Sequence, residues 1–354
     1  MTSLIRNLLA PGQGSLRGRL ALLYLVLIGA NLGAWVWAFA AFREHPVLLG
    51  TALLAYGFGL RHAVDADHIA AIDNVTRKLM NDGRKPVTVG FFFALGHSTV
   101  VVLASVAVAL TSSALNDRFE AFKNIGGVVG TSISALFLLT IAVMNLFILQ
   151  GVYQAFRRVR GGGAYIEEDF DMLLAQGGLM ARLFPPLFAM MTTPWLMYPL
   201  GFLFGLGFET ATEVALLGMS AQGAAQGLPL TSILVLPALF TVGMTLIDTT
   251  DGVLMLGAYG WAFLKPMRKI YYNMTITLVS VLVALLVGSI EALGLIGDQL
   301  ALTGSFWGFI GDLNDNFGSL GYLIIGLFAV SWLVSAMIYR VKGYDALEVA
   351  RAVD

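Results

Sequence analysis

The run Arg61-His62-Ala63-Val64-Asp65-Ala66-Asp67-His68 places five ionisable side chains within eight residues, in the middle of an apolar segment from about Pro46 to Val75. At the centre of a membrane span each charged side chain costs roughly 2.5–3.5 kcal/mol. A cluster of this kind persists where something binds it. Two histidines and two aspartates are ligand types that suit a divalent transition metal. At about 100° per residue, His62, Asp65 and His68 fall within a sector of about 120° on one side of a regular helix. Asp67 points elsewhere on such a helix. Gly57 and Gly59, just upstream, are the expected points of backbone distortion that would bring it in, since broken helices are tolerated where they line a cavity.

Three further apolar segments carry polar patches at mid-length. One holds Gly96-His97-Ser98-Thr99. A second runs from Gly205 to Glu213 and holds Glu209 and Glu213. A third runs from Thr241 to Gly252 and holds Asp248 and Asp251. Together with Asp65 and Asp67 these make six carboxylates against a single Arg61, a field that favours a cation. Plainer readings stand beside this one. His97 next to Ser98 and Thr99 reads equally as a hydrogen-bonded packing residue. Glu209 and Glu213, one helical turn apart, also read as a structural pair, and Asp248 and Asp251 as caps at a helix interruption. His45 before Pro46 reads as incidental, and Asn31 as interhelical glue. The cluster around His62 and His68 has no comparable plain reading.

The elements that must position these groups are membrane helices. The chain is 58% hydrophobic and 12% charged, where a soluble domain carries about 25% charged residues. There are no cysteines, which excludes disulfides, iron–sulfur clusters and thiolate metal sites. The net charge of −1 gives no sign of a nucleic-acid partner. Apolar stretches of about 20 residues read as transmembrane helices. Eight are expected: Leu20–Phe42, Val47–Thr76, Val87–Thr111, Ile125–Phe156, Trp195–Met219, Leu228–Phe263, Tyr271–Leu293 and Phe317–Tyr339. The first reads as a retained helix and not as a cleaved leader. A short apolar piece, Leu183–Met191, reads as interfacial. The expectation is an all-α membrane protein, a single transmembrane domain over residues 1–354, with a cytoplasmic loop at about 157–182.

Lys and Arg set the orientation. With the N-terminus inside, the outer loops hold only Arg43, Arg118 and Lys123, and Arg61 lies within a span. The other 17 of the 21 basic residues fall on the inner side. Both termini are therefore expected in the cytoplasm. A weak internal repeat is also visible. Gly59-Leu60, leading to Asp67, aligns with Gly205-Leu206, leading to Glu213, at an offset of 146. Phe93 to Ser98 aligns with Phe240 to Thr245 at an offset of 147. Helices two and three thus correspond to helices five and six. An offset of three helices reverses direction, the mark of an inverted-topology repeat with a midplane site.

The segment His62 to His68 resembles the His-x4-Asp-His signature of the nickel/cobalt transporter (NiCoT) family. Leu95-Gly96-His97-Ser98-Thr99-Val100-Val101 is similar to that family's third-helix motif. Leu206 to Glu213 is similar to its fifth-helix motif, with Glu209 where Asp is more usual. Leu246 to Gly252 resembles its sixth-helix motif. The resemblance implies high-affinity uptake of Ni²⁺, Co²⁺ or both across a bacterial cytoplasmic membrane. It implies metal recognition by His62, Asp67 and His68, with Asp65 and His97 as neighbours. The ion path would include Glu209, Glu213, Asp248, Asp251, Ser98 and Thr99. The dication is substrate, so no cofactor, catalytic residue or obligatory protein partner is implied.

The expected mechanism is secondary transport. A hydrated dication exchanges water for imidazole and carboxylate, and helices two and three rock against five and six to expose it inward. Neutral imidazole is needed, so binding should weaken as pH falls through the histidine range. An exporter would use the same ligand chemistry. An intramembrane metalloenzyme is the weaker alternative, since no His-Glu-x-x-His occurs. A sensor needs a site but not a polar path.

Overall fold

The chain is described from a computed structural model covering residues 16–110, 116–161, 192–207, 211–262 and 266–342. The expected loop at 157–182 lies largely outside these residues, and Leu183–Met191 and Glu209 lie wholly outside them. The described residues are helical: α1 (Leu16–Phe42), α2 (Pro46–His62), α3 (Ala66–Asn81), α4 (Val89–Leu110), α5 (Asn116–Arg160), α6 (Met197–Gly205), α7 (Ala211–Ala225), α8 (Leu230–Ile233), α9 (Val235–Ala262), α10 (Pro266–Gln299), α11 (Ser305–Asp315) and α12 (Phe317–Val341). A 3-10 turn, Pro194–Leu196, precedes α6. Among the described residues, six helical segments are long and apolar enough to cross a membrane, or seven if α2 and α3 form one broken span.

The bundle is inside-out relative to a soluble protein. Leu25, Leu32 and Val36 of α1, Leu136 of α5 and Leu333 of α12 face outward and are more than half exposed, as a lipid-facing surface requires. The most polar helix sits at the centre. Every residue of α3 from Ala66 to Met80 is buried except the half-buried Asp67. It packs against α4, α5, α9, α10 and α12.

Burying Asp73, Asn74 and Arg77 requires partners for each. Asp73 accepts hydrogen bonds from the Tyr259 hydroxyl and from Ser280 Oγ, the latter at 2.7 Å. Arg77 donates to Thr277 Oγ1 at 2.8 Å and to Asn74 Oδ1 at 3.2 Å. Asn145 Nδ2 donates to the same Asn74 oxygen at 2.7 Å. These bonds tie α3 to α5, α9 and α10.

The span expected at Val47–Thr76 is not one continuous helix. α2 and α3 meet at 51°, with Ala63 and Val64 in a turn and Asp65 extended at ψ 147° as the N-cap residue of α3. The distortion therefore falls at Ala63–Asp65 and not at Gly57 or Gly59. Gly59 instead lets α2 touch the backbone of α9 at Phe240, and Gly57 has open space beside it. The break is held by α12. A Cβ at Gly321 would collide with the Val64 carbonyl, and one at Gly318 would meet Asp65 Oδ1 at 3.1 Å. The fifth expected span is likewise split into α6 and α7. α10 runs on to Gln299, past the expected end at Leu293, and α11 is a helix the sequence pattern did not foretell.

Filling the seat of Val64 should open the break. Gly321→Leu is expected to destabilise the purified protein by about 1–3 kcal/mol, the usual cost of overpacking. Gly326→Leu, on the same helix with open space beside it, should leave the thermal midpoint unchanged. Thermal unfolding of both variants in detergent checks this.

Candidate metal centre

The break at Ala63–Asp65 changes what α2 and α3 present. On a continuous helix His62 and His68 would lie about 9 Å apart along the axis and about 120° apart around it. The bend instead folds the two rings toward each other and toward His97 of α4. The three ring centroids form a triangle with all sides 4.8 Å. One ligand nitrogen from each histidine lies within 4.8 Å of the others. All three side chains are 3% exposed or less.

Carboxylates surround this triangle from α7, from α9 and from the start of α3. Glu213 of α7 places Oε1 2.8 Å from His97 Nε2 and 3.7 Å from His62 Nε2. The two Nε2 atoms are 2.9 Å apart. Ligand atoms held about 2.1 Å from one centre lie about 3.0 Å apart at right angles and about 3.4 Å apart at tetrahedral corners. The three spacings bracket these values, so His62 Nε2, His97 Nε2 and Glu213 Oε1 converge as ligands of one ion would.

The remaining contacts orient the rings. Asp65 Oδ2 lies 2.8 Å from His62 Nδ1. Asp248 of α9 meets His68 Nδ1 at 3.2 and 3.3 Å. In each case a carboxylate takes the δ nitrogen, the arrangement that fixes tautomer and ring orientation at metal sites. His68 Nε2 is buried without a hydrogen-bond partner among the described residues. Thr212 Oγ1 stands 3.4 Å from His62 Nδ1.

The structure thus brings together His62, His68, His97 and Asp65 with two residues expected only on the ion path, Glu213 and Asp248. Asp67 stands aside from the triangle. It is half-buried and lines an adjoining polar cavity, near enough to act electrostatically on His62 and His68. Ser98 is buried with its hydroxyl unpaired among the described residues. Thr99 turns away, donating to the Leu95 carbonyl at 2.7 Å and meeting the Tyr198 hydroxyl at 2.8 Å. Asp251 borders an apolar cavity of about 420 Å³ beside Tyr259 and Trp332. Arg61 makes no ion pair with a described residue, and it is exposed beside Gly318. Glu209 lies outside the described residues.

The pattern of a high-affinity nickel-transport protein matches residues 48–338, which hold all of these groups. The chain belongs to this family. It is similar to the high-affinity nickel transport protein of Cupriavidus necator, with 60% identity over 349 residues covering 99% of both chains. It is also similar to the nickel transporter NixA of Staphylococcus aureus, with 48% identity over 299 residues, 84% of this chain and 87% of that one. The cobalt transport protein NhlF of Rhodococcus rhodochrous is 40% identical over 298 residues, 83% of this chain and 84% of that one. No solved structure matches the chain. The family is one of transporters and not of enzymes.

The residues that sequence reasoning placed too loosely, Glu213 and Asp248, follow from the break. Without it the ε nitrogens do not converge, and no carboxylate can be assigned to a particular ring. Asp248→Ala removes the acceptor that orients His68. It is expected to lower Ni²⁺ affinity about 10–100-fold, the usual effect of losing such a partner. Thr99→Ala should leave the affinity unchanged. Equilibrium Ni²⁺ titration of the purified proteins distinguishes these outcomes.

Proposed function

We propose that this protein is an importer of Ni²⁺ and Co²⁺ in the bacterial cytoplasmic membrane, and that His62, His68, His97 and Glu213 bind the ion at mid-membrane. The observation that carries the reading is the convergence of three histidine rings and one carboxylate at a break between two buried helices. Imidazole with carboxylate suits Ni²⁺ and Co²⁺, and the absence of thiolate disfavours softer ions. The names of the relatives, which speak of nickel and in one case of cobalt, support the same substrates. Asp65 and Asp248 set the tautomers. Asp67, at the edge of the triangle, is the carboxylate through which the ion arrives.

The topology that fits this reading has eight spans, counting α2 with α3 and α6 with α7 as two broken ones. Both termini lie in the cytoplasm, as the Lys and Arg distribution favours. The chain is then one polytopic domain, and its long connector at 157–182 is cytoplasmic. An inverted repeat relates α2–α4 to α6–α9. Two features support it. The two broken spans are interrupted within three residues of equivalent positions, after His62 and after Gly205. Gly243 packs on Tyr56, and Gly96 packs on Phe202; residues 56 and 202 stand one repeat offset apart. Paired broken helices at the midplane are the form that alternating access takes in several secondary transporters.

A bound dication moving inward gains about 2.3 kcal/mol per charge per 100 mV of inside-negative potential. The membrane potential alone therefore suffices as a driving force. Radioactive Ni²⁺ and Co²⁺ uptake in metal-limited cells tests the proposal. Saturable uptake is expected in the wild type and is expected to fall to background in His62→Ala, His68→Ala and His97→Ala at matched membrane expression. Cells that lose metal on expressing the protein would point to export instead, and uptake no better than in empty cells would refute import.

A further inference from the structure

A second polar space lies beside the histidine triangle, between α3, α5, α6, α10 and α11. It has a volume of about 310 Å³ and is lined by Asp67, Thr131, Ser134, Glu291, Asp298 and Asp315 among others, with no Lys or Arg. Its carboxylates are graded by depth. Asp298 and Asp315 are exposed at one end, Asp67 is half-buried, and Glu291 is 6% exposed. Glu291 lies within the apolar stretch of α10, where a carboxylate is expensive, and accepts a hydrogen bond from Ser134 Oγ at 2.9 Å. Independently of the acids, Thr131 is 7% exposed and faces the cavity, and its hydroxyl makes no hydrogen bond to another described residue. Its oxygen is available to whatever fills the space.

We infer that this cavity is an outer staging site for a hydrated divalent cation, which Asp67 then hands to the histidines. The inference rests on the import reading and deepens it, because Asp298 and α11 lie on the face assigned to the outside. The space is large enough. A water occupies about 30 Å³ of liquid, so an ion with six waters needs about 180 Å³. The chemistry is graded as well. Carboxylate and hydroxyl oxygens hold a hydrated dication without stripping it and discriminate poorly among such ions. Imidazole nitrogens favour Ni²⁺ and Co²⁺ over Mg²⁺. A low-selectivity oxygen vestibule therefore concentrates dications in front of a nitrogen site that chooses among them, and a funnel of one charge sign raises capture rates. Asp67 joins the two because it lines the cavity and directly precedes His68.

The test uses the full chain in its membrane, and its lack of cysteine makes a single introduced thiol the only target. Leu295→Cys places that thiol in the cavity wall without removing an acid. A membrane-impermeant maleimide should label it in intact cells, and millimolar Ni²⁺ or Mg²⁺ should slow the labelling saturably. That protection should be lost when Glu291→Gln and Asp298→Asn are added. In uptake assays Glu291→Gln with Asp298→Asn should raise the KM for Ni²⁺ about three- to tenfold, as expected for loss of electrostatic capture. The maximal rate and the equilibrium Ni²⁺ affinity of the purified protein should stay near wild type. Labelling only after lysis, labelling indifferent to cations, or an unchanged KM would overturn the staging site. So would a loss of equilibrium affinity in step with KM, which would make the acids structural supports of the histidine centre. Absence of wild-type uptake would instead sink the import reading, with the labelling arm still deciding whether the cavity takes cations.

Discussion

His62 and His68 are six residues apart, and a regular helix cannot bring their rings to one point. The 51° break at Ala63–Asp65 is the constraint on which the rest of the centre depends. It turns the end of α2 and the start of α3 toward His97, and the extended Asp65 beside it fixes the His62 ring. The break has its own supports. Bare backbone at Gly321 receives the Val64 carbonyl, and Gly59 lets α2 close against α9. Such an interruption is tolerated in a membrane because it lies against protein and not against lipid.

The second constraint is electrostatic. A polar helix such as α3 survives at the centre of an apolar bundle only when its groups are satisfied. In the half of α3 beyond the histidines, Tyr259, Ser280, Thr277 and Asn145 do this for Asp73, Arg77 and Asn74. Around the histidines the carboxylates are matched to rings, but the ε nitrogens of His62 and His97 point at one another and at Glu213. One part of α3 is closed by protein partners, while the other is the part that the proposed function has a cation complete. Transport requires this difference, since the site must hold a cargo and release it, whereas the scaffold must not move with it.

Much of this was legible in the sequence. The ionisable run at residues 61–68 stood out because charge is costly in an apolar span, and the same argument found His97, Glu213 and Asp248. The helical class followed from composition. What could not be read was direction. Helical periodicity placed Asp65 and His68 on one side, but it assumed a regular helix and gave no reason for Asp65 to buttress His62 or for Asp67 to face a different space. It also assigned the hinge to glycines, which prove to be packing contacts, because residue type alone does not distinguish a flexible backbone from a close one. Glu291 was passed over although it is a carboxylate within an apolar stretch.

The central claim is that three imidazoles from two elements of one broken helix and its neighbour α4 hold the transported ion together. X-ray absorption at the nickel edge of the Ni²⁺-loaded purified protein tests it most directly, with His97→Ala measured alongside. The account predicts outer-shell scattering from three imidazoles in the wild type and from two in the variant. An oxygen-only shell, or an imidazole count that does not change when His97 is removed, would contradict it.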